Sequence, residues 1–433
     1  MATVSGRRRQ STHDEPGNTV ILERLPFTDA HASMHAVNPV RPMRLCVDGR
    51  LAGDGTGVHQ YSNILLRVLQ AGGANPLTLE FSSPTPARRS SAGIARLRRW
   101  SGALRQHARP VGVPTETGPA SRLIGGDLYR EARAHFRVYD RLMPITVPGP
   151  PGVMHWTYPV PLYMHGWRNL YTVHDVIPLQ GPGLSTISAK RHRRLLHRII
   201  QQADRVLAVS ETARADIVAL TQCPADLVVN AYQAVDGPDG IDAPAPAGYE
   251  SESYFLFCGR IESRKNLKRL VQAHRRSGTR RPLVIIGPVG RDGEHIRRML
   301  AEVPNVHVLP FQGRAAVLGF IRHARALLFP SLAEGFGLPV VEAMTLGTPV
   351  MVSTIDTLKE VTGEAALTVD PFDVKTMGGV IAQLCSDDAL CDHLGTLGLA
   401  RSTTFSHNLY YERLLAIYTA AEAKQPRHAK LVA

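Results

Sequence analysis

The sequence predicts an α/β protein built from two doubly wound domains with a cleft between them. Three observations support this fold class. The chain has 433 residues, too many for one ordinary core and enough for two domains of roughly 150–200 residues each. Short apolar segments alternate with amphipathic ones in both halves, which is typical of parallel sheets covered by helices. A stretch rich in proline, glycine and aspartate, DGPDGIDAPAPAG at 236–248, separates the halves.

The first domain is expected to span residues 42–240. Residues 1–41 are polar and unpatterned, so we predict a disordered leader there. MRLCVDG predicts the first strand, and GVHQYSNILLRVLQAG has the apolar spacing of a helix that ends at a glycine. PLTLEF predicts the second strand. Strand, helix and strand in this order begin an α/β unit.

A basic insertion at 84–135 interrupts this domain, and the alternation then returns. GVMHWTYPVPLY and NLYTVHDVIPL predict strands with loops, SAKRHRRLLHRIIQQA a helix, and DRVLAVS a strand. ETARADIVALT predicts a helix with Ser210 as its N-cap, because a serine side chain can accept a bond from a free amide of the first turn. DLVVN predicts the strand after it.

The second domain is expected at 249–405, and its strands are nearly continuous runs of Val, Ile, Leu and Phe. They are predicted in YFLFCG, RPLVIIG, NVHVLP, RALLFPS and PVMVST. Residues 406–433 predict a terminal helix that packs back on the first domain, and a tail. Ligands of such sheets bind beyond the carboxyl ends of the strands, so the cleft between the domains is the expected site.

The composition excludes several classes of protein. With 44% hydrophobic and 20% charged residues, the chain is neither disordered nor fibrous. No segment approaches the ~18 consecutive apolar residues of a membrane span, and no secretory signal follows the basic residues 7–9. The five cysteines are scattered without a C-x-x-C spacing, which argues against a disulfide frame or a zinc site. We therefore expect the protein in the cytoplasm.

The net charge of +13 is concentrated in part between residues 84 and 123, which contain eight arginines and one acidic residue. Within this stretch, IARLRRWSGALRQH places apolar residues at helical spacing between the arginines. This pattern is typical of a helix that lies on an anionic membrane face. A solvated arginine-rich loop or an ordinary surface helix accounts for it equally well, and the sequence leaves these alternatives open.

Two clusters follow predicted strands of the second domain. GRIESRKN, after YFLFC, places Arg260 and Lys265 before a helix that is expected to begin near Asn266. A guanidinium fork, an ammonium and free helix amides together can hold a diphosphate. Surface Lys and Arg are common, so it is their position at a strand end that indicates a role in binding.

The second cluster is EGFGLPVVE, after RALLFPS. Pro339 suits a first helical turn, so residues 335–338 are expected to form a loop whose amides point at a ligand. Glu342 is then expected in the first turn, facing the cleft, and Glu334 at the strand end. The alternative is that Glu342 merely complements the helix dipole while Glu334 is a solvated loop acid.

FCGRIESRKNLKRLVQA and LLFPSLAEGFGLPVVEAMTLGTPVMVSTIDTLKEVTGEAALTVDP resemble the retaining nucleotide-sugar glycosyltransferases of family 4 (glycosyl transferases group 1), of the bacterial polysaccharide type. GDGTGVHQYSNILLRVL, TVHDVIPL and ADRVLAVSETARADI extend the resemblance into the first domain, so that it covers about four fifths of the chain. It implies the GT-B fold, in which two Rossmann-like domains face each other across the cleft. The first domain would then hold the acceptor and the second the nucleotide-sugar.

The resemblance also implies roles for residues of the second domain. Arg260 and Lys265 would neutralise the leaving diphosphate, and Glu342 would accept hydrogen bonds from the ribose. Glu334 would hold the hydroxyls of the donor sugar, together with the backbone of Gly335, Phe336, Gly337 and Leu338. The two acids are then recognition groups rather than an acid and base couple.

In the first domain, the resemblance matches Gly55 and Gly57 to a loop that lets phosphates and acceptor approach backbone amides. His174 matches a histidine near the transferring sugar, with Asp175 expected to orient it, although a structural role for a lone strand-end histidine is an open alternative. VVNAYQAVD departs from the Asn-Gly turn of many relatives, which puts this local turn in doubt.

Other functions are weighed against this one. The glycines Gly53, Gly55 and Gly57 follow a strand but read G-x-G-x-G, which argues against an NAD-dependent enzyme. A nucleic-acid-binding protein would explain the charge, yet no helix-turn-helix or zinc pattern is present. No D-x-D pair occurs, so no divalent metal is expected with the diphosphate. No other cofactor is expected, since the nucleotide-sugar is a substrate. The context resembles polysaccharide mannosyltransferases and so favours GDP-mannose as donor. UDP- or ADP-sugars with a soluble acceptor are the alternative to a glycan or polyprenyl-lipid-linked acceptor.

Overall fold

The computed structural model describes residues 43–49, 57–80, 109–111, 122–124, 128–237 and 243–423. Gly55, the leader at 1–41 and the segment IARLRRWSGALRQH lie outside the described residues. The strands are Leu45–Asp48 (β1), Leu77–Glu80 (β2), Arg109–Pro110 (β3), Arg122–Ile124 (β4), Met143–Thr146 (β5), Val153–Trp156 (β6), Leu162–Met164 (β7), Arg168–Thr172 (β8), Arg205–Ala208 (β9), Val228–Asn230 (β10), Phe255–Cys258 (β11), Leu283–Ile286 (β12), Val306–Val308 (β13), Ala326–Phe329 (β14), Val350–Ser353 (β15) and Leu367–Val369 (β16).

Helices alternate with these strands along most of the chain. They are Gly57–Ala71 (α1), Leu128–Tyr139 (α2), Ile177–Gln180 (α3), Ala189–Gln202 (α4), Glu211–Thr221 (α5), Leu267–Arg276 (α6), Gly293–Ala301 (α7), Arg314–Arg322 (α8), Leu338–Thr345 (α9), Asp356–Thr362 (α10), Val374–Ser386 (α11), Asp388–Ser402 (α12) and His407–Glu422 (α13). None of these described helices is long and apolar enough to cross a lipid bilayer.

The first domain is built on a parallel sheet of seven strands in the order β10-β9-β8-β6-β1-β2-β4. In the register, Cys46 of β1 lies opposite Leu77 of β2 on one side and Met154 of β6 on the other. The side chains of β1 and β6 are buried throughout, because helices cover both faces of the sheet. Helix α5 begins where the sequence predicts it, with Ser210 Oγ accepting from the Ala213 amide at 3.0 Å.

Several described elements lie within the range 84–135 that we predict as a basic insertion. Strand β4 lies within that range and pairs with β2 as the edge of the first sheet. Strand β3 pairs with β5 in a separate parallel sheet of order β3-β5-β7. Arg109 of β3 forms an ion pair with Glu131 of α2, so two charges of the predicted insertion pair with each other. Strands of two or three residues are too short to show a hydrophobic period.

The second domain contains a parallel sheet of six strands in the order β13-β12-β11-β14-β15-β16. The four central strands are fully buried, as their runs of aliphatic and aromatic residues indicate. The α/β fold with two Rossmann-like sheets is therefore confirmed. The carboxyl ends of the β8, β11 and β14 strands lead into loops that line one shared cleft.

The terminal helix α13 lies on the first domain. Tyr418 of this helix is hydrogen-bonded to Nδ1 of His155, in β6, at 2.6 Å, and Tyr411 donates to the carbonyl of Gly72 at 2.8 Å. The rings of Tyr410 and Tyr61 meet edge to face with centroids 6.4 Å apart. The chain thus crosses back from the second domain, and its last described element completes the core of the first.

Candidate active site

A cavity of about 810 Å³ lies where the two sheets face each other. The first domain contributes the start of α1 and the loop after β8, and the second contributes loops after β11, β12, β13 and β14. A cleft at the carboxyl ends of two parallel sheets is where this architecture binds ligands. The site residues among its lining are Gly57, Gln60, His174, Asp175, Arg260, Arg264, Lys265, Arg314, Glu334, Gly335, Phe336, Gly337, Leu338 and Glu342.

Lys265 and Glu334 form a buried ion pair at the base of this cleft, and Arg264 is its third member. Arg264 Nη1 lies 3.1 Å from Glu334 Oε2 and also donates to the Ala333 carbonyl at 2.7 Å. Burial raises the pKa of Glu334, but Lys265 and Arg264 outweigh it and hold this pKa at about 2. Burial lowers the pKa of Lys265, which Glu334 partly offsets. Glu334 is therefore an ionised carboxylate between two cations, rather than a solvated loop acid.

Arg260 differs from Lys265 in its surroundings. Its side chain is exposed in the cleft and has no hydrogen bond or ion pair with any residue that the structure describes. Lys265 is buried, with Nζ 4.6 Å from the centroid of the Phe329 ring. The helix after them begins at Leu267, preceded by a 3₁₀ turn at Ser263–Lys265 and by Asn266 with φ of 61°. The two predicted cations thus reach the same cavity, one free and one already paired.

The loop between Glu334 and Leu338 is held tightly by the first domain. A Cβ at Gly335 would lie 2.1 Å from the His174 carbonyl oxygen, so only glycine fits there. Ser210 Oγ donates to the Gly335 carbonyl at 2.8 Å. Gly337 has φ of 95° and immediately precedes α9, a backbone conformation that favours glycine. Phe336 is buried edge to face against Phe405, with centroids 5.3 Å apart.

Glu342 is the fifth residue of α9 and lies beyond the first turn in which we expected it, because the helix begins at Leu338. Its carboxylate is buried and pairs with Arg314 Nη1 at 2.7 Å. The Gln60 side-chain amide contacts both partners of this pair: in the orientation that satisfies it, its nitrogen donates to Glu342 Oε1 at 3.2 Å and its oxygen accepts from Arg314 Nη1 at 3.3 Å. Burial raises the pKa of Glu342, and Arg314 partly offsets this rise.

His174 borders the cleft from the first domain. Its Nε2 lies 2.9 Å from the Thr157 carbonyl, which places the proton on Nε2 and leaves Nδ1 as an acceptor. The Tyr61 ring meets it edge to face at 4.7 Å. Burial lowers the pKa of His174, so the ring is neutral near pH 7. Asp175 Oδ1 accepts from the Ile177 amide at 3.0 Å, so the hydrogen bond that orients His174 comes from Thr157 instead.

Gly57 is the first residue of α1, whose amino-terminal end opens into the cleft. The free amides of such an end attract anions. Sequence reasoning missed Arg264, Arg314 and Gln60. Arg264 could have been found as the basic neighbour of Lys265. Arg314 and Gln60 offered no signal, because their contacts with Glu342 join segments that are distant along the chain.

Known proteins resemble this chain in sequence and in structure. The family described as glycosyl transferases group 1 matches residues 242–423. O-antigen chain mannosyltransferase B of Escherichia coli is 30% identical over 260 residues, which make up 55% of this chain and 67% of that protein. O-antigen chain mannosyltransferase RfbU of Salmonella typhimurium is 29% identical over 219 residues, 49% of this chain and 60% of that one.

Solved structures extend the similarity of the fold beyond the residues that sequence comparison matches. Sucrose-phosphate synthase from Thermosynechococcus elongatus superposes with a TM-score of 0.65 at 17% identity, over 88% of this chain and 100% of that one. An α,α-trehalose-phosphate synthase (UDP-forming) from Burkholderia vietnamiensis gives 0.64 at 14% identity, over 88% and 98%. With the two facing sheets and the sequence matches, these similarities show that the chain belongs to the glycosyl transferases group 1 family and is a glycosyltransferase with the GT-B fold.

Proposed function

We propose that the chain moves a hexose from a nucleotide-sugar to a glycan with retention of configuration, as a family-4 enzyme of cell-surface polysaccharide synthesis. One observation carries the proposal. Arg260, Lys265, Glu334 and Glu342 of the second domain line the same cleft as His174 of the first. Cations for a diphosphate and carboxylates for hydroxyls are thus within reach of one bound sugar nucleotide.

The cations are assigned to the leaving group. Arg260 is exposed and unpaired among the described residues, so its guanidinium is free to hold a diphosphate by two parallel hydrogen bonds. Lys265 is paired with Glu334 before any donor binds. A bound diphosphate would compete for the Lys265 ammonium, which releases the Glu334 carboxylate to accept bonds from sugar hydroxyls. Stabilising the departing phosphate charge is the largest contribution that we assign to catalysis.

The remaining groups are assigned to the sugar and the nucleoside. Glu342 accepts from the ribose hydroxyls, and the amides of residues 335–338 surround the hexose together with Glu334. His174 presents its unprotonated Nδ1 beside the transferring sugar. The acceptor oxygen attacks the anomeric carbon on the side from which the diphosphate leaves. The bond from that carbon to the phosphate oxygen breaks, and the acceptor proton passes to the released phosphate.

We propose GDP-mannose as the donor, since relatives of similar sequence are named mannosyltransferases. A UDP- or ADP-sugar with a soluble acceptor is the alternative. Calorimetric titration of the protein with GDP-, UDP- and ADP-sugars distinguishes them. Tightest binding of GDP-mannose supports the assignment, whereas saturable binding of a UDP- or ADP-sugar alone would replace the proposed donor.

We also propose that transfer requires no divalent metal, because basic side chains meet the charge of the diphosphate and the sequence contains no D-x-D pair. Transfer is then expected to continue in EDTA. Strict dependence on added Mg²⁺ or Mn²⁺ would contradict the roles of Arg260 and Lys265.

For the acceptor, we propose a glycan on a polyprenyl lipid, reached from the cytoplasmic face of the cell membrane. The arginines of IARLRRWSGALRQH are candidates for contact with anionic lipids. Replacing Arg96, Arg98 and Arg99 with Glu is expected to reduce sedimentation with membranes. Unchanged sedimentation would assign that segment to solvent.

Two substitutions test the site itself. Glu342→Ala is expected mainly to weaken donor binding, and Glu334→Ala mainly to lower turnover. Glu302→Ala, at an exposed acid of the same domain, is the matched control and should leave both unchanged. The anomeric configuration of the product, read by NMR, tests retention. The reverse pattern of effects would exchange the roles of the two acids, and an inverted product would contradict the proposed mechanism.

A further inference from the structure

Helix α4, Ala189–Gln202, is the most basic described helix of the first domain. It carries one lysine and four arginines and no acidic residue. One side of it, with Leu196 and Ile199, is buried in the core. Lys190, Arg191 and Arg193 are exposed and form no ion pair with any described residue. A helix with this pattern places a dense positive charge at the protein surface.

Helix α2 lies beside α4 and adds further cations. Arg194 and Arg198 of α4 both bind Asp140, at 2.7 and 2.9 Å, and this aspartate directly follows α2. Helix α2 presents exposed Arg133 and Arg137 four residues apart on one side, and exposed Arg141 follows Asp140. We call the whole set the basic surface; it consists of Arg133, Arg137, Arg141, Lys190, Arg191, Arg193, Arg194 and Arg198.

The charge of the basic surface is largely uncompensated. Asp140 is the one acidic residue with which its members pair among the described residues, and it serves two arginines at once. Ion pairs with neighbouring carboxylates would neutralise a surface that serves stability alone. A group of like charges repels itself, so a polyanionic partner would relieve the repulsion.

Two exposed aliphatic side chains lie among the cations. Ile187 lies two residues before α4 and is 46% exposed, and Val138 in α2 is 42% exposed. Aliphatic side chains between basic ones are typical of surfaces that enter the headgroup region of a bilayer. Surfaces that bind single-stranded nucleic acid combine their cations with exposed aromatic rings.

The basic surface adjoins the acceptor side of the cleft. The chain passes from His174 and Asp175 through the short helix α3 and an eight-residue loop, 181–188, to α4. His192, on the buried side of α4, lies close enough to Asp175 for the carboxylate to act on it, raising a pKa that burial lowers. A bilayer in contact with α4 would therefore bring a lipid-held acceptor near His174.

We propose that the basic surface binds the anionic headgroups of a lipid bilayer and holds the first domain against the membrane. The inference rests on the proposed function only for the acceptor, because attachment to lipid requires no donor and no transfer. It differs from the proposed role of IARLRRWSGALRQH in naming other residues, on described elements of the fold.

The test measures sedimentation of the full chain with sucrose-loaded vesicles of phosphatidylglycerol and phosphatidylcholine, compared with phosphatidylcholine alone. The variant is Lys190→Glu with Arg191→Glu and Arg193→Glu, all free of ion pairs to described residues. The control is Arg275→Glu with Arg276→Glu and Arg280→Glu, three exposed arginines of the second domain. Both variants change the net charge equally, and thermal unfolding verifies that each is folded.

We expect the native chain to bind the anionic vesicles and not the neutral ones. Removing three basic residues near the bilayer should lower partitioning about a hundredfold, at about fivefold each, so the α4 variant, which reverses the charges, should lose at least that much and the control should lose little. A milder variant with Gln at the same three α4 positions should lose less than the Glu variant, since the charge is removed rather than reversed.

Several results would overturn the inference. They are equal losses in the α4 variant and the control, full retention of binding in the α4 variant, and saturable binding to duplex DNA without binding to anionic vesicles. If only the variant at Arg96, Arg98 and Arg99 loses vesicle binding, the chain attaches to the membrane through that segment, and the proposed role of α4 is wrong. Donor affinity of the α4 variant, measured by calorimetry, should stay unchanged, so failure here is distinguishable from failure of the proposed transfer.

Discussion

The Glu360 carboxylate, from the second domain, binds both the backbone amide and the hydroxyl of Thr212 in the first, at 2.8 and 2.6 Å. Its other oxygen accepts from the Glu211 amide at 2.6 Å. These amides belong to the first turn of α5, so an acid of one domain caps a helix of the other. Together with the bond from Ser210 to Gly335, the contact holds the two domains against each other.

The first prediction concerns this cap. Glu360→Ala removes an acceptor from two amides and a hydroxyl, and losing a cap costs about 1 kcal/mol. Without the cap the two domains should separate more often, seen as a larger radius of gyration in small-angle scattering and a higher KM for the donor. Glu364→Ala is the control, because Glu364 is an exposed acid just after α10, the helix that contains Glu360. An unchanged radius and KM would show that the cap does not hold the domains together.

The second prediction concerns Arg314, whose guanidinium partners the buried Glu342. Arg314→Gln leaves this carboxylate without its cation, so the pKa of Glu342 should rise further and donor affinity should fall about tenfold. Calorimetric titration with the donor measures the affinity.

Arg314→Lys keeps the positive charge and should retain more affinity than the glutamine variant. The double variant Arg314→Gln with Glu342→Gln should recover part of the unfolding free energy that Arg314→Gln loses, which we expect to be about 1–3 kcal/mol. Additive losses in the double variant would contradict a direct pairing.

The third prediction concerns the charge of Lys265. Burial lowers the pKa of this ammonium, and the Glu334 carboxylate raises it again. Glu334→Gln removes the carboxylate charge that raises the pKa of Lys265, so Lys265 should lose its proton at a lower pH. The basic limb of the pH profile of kcat/KM is expected to move down by about 1–3 pH units. Glu302→Gln serves as control, and a basic limb that does not move would mean that Lys265 does not supply the charge.

The fourth prediction concerns His155, which is buried between Tyr418 and Thr172. Burial lowers its pKa to about 3, whereas the unfolded chain has the ordinary value of 6.5. Between pH 6.5 and about pH 3, His155 binds a proton in the unfolded chain but not in the folded chain. The free energy of unfolding should therefore fall with decreasing pH, by about 1.4 kcal/mol per pH unit for this residue.

Urea unfolding between pH 4 and 7 measures that slope. His155→Asn should be less stable at pH 7 but should show a smaller slope, because one buried histidine is gone. His165→Asn, at an exposed histidine, should keep the native slope. An unchanged slope in His155→Asn would assign the acid sensitivity to other groups.

Much of the fold could be predicted from the sequence because its signals are local. The helix that begins after Ser210 and the buried strand at Phe255–Cys258 each follow from residues within one segment. Strands β3 and β4 were missed because two or three residues carry no hydrophobic period. Only pairing with β5 and β2 makes them strands.

The site was predicted in its parts but not in its connections. The positions of Lys265 and Glu334 at strand ends placed both in the cleft, yet nothing in the sequence indicated that they bind each other. The contact of Arg314 with Glu342 depends on how α8 and α9 pack. Pairings of this kind arise from the three-dimensional arrangement of segments that are far apart along the chain.

The contact of Gly335 with the carbonyl of His174 bears on how such enzymes can be recombined. Because the two loops touch through backbone with no room for a Cβ, a hybrid that joins one relative's first domain to another's second inherits two loops that must match in shape. Exchanging residues 174–175 and 334–338 together would carry that fit intact. When domains of two family members are combined in a hybrid, keeping these two loops together should therefore matter more than the choice of interdomain linker.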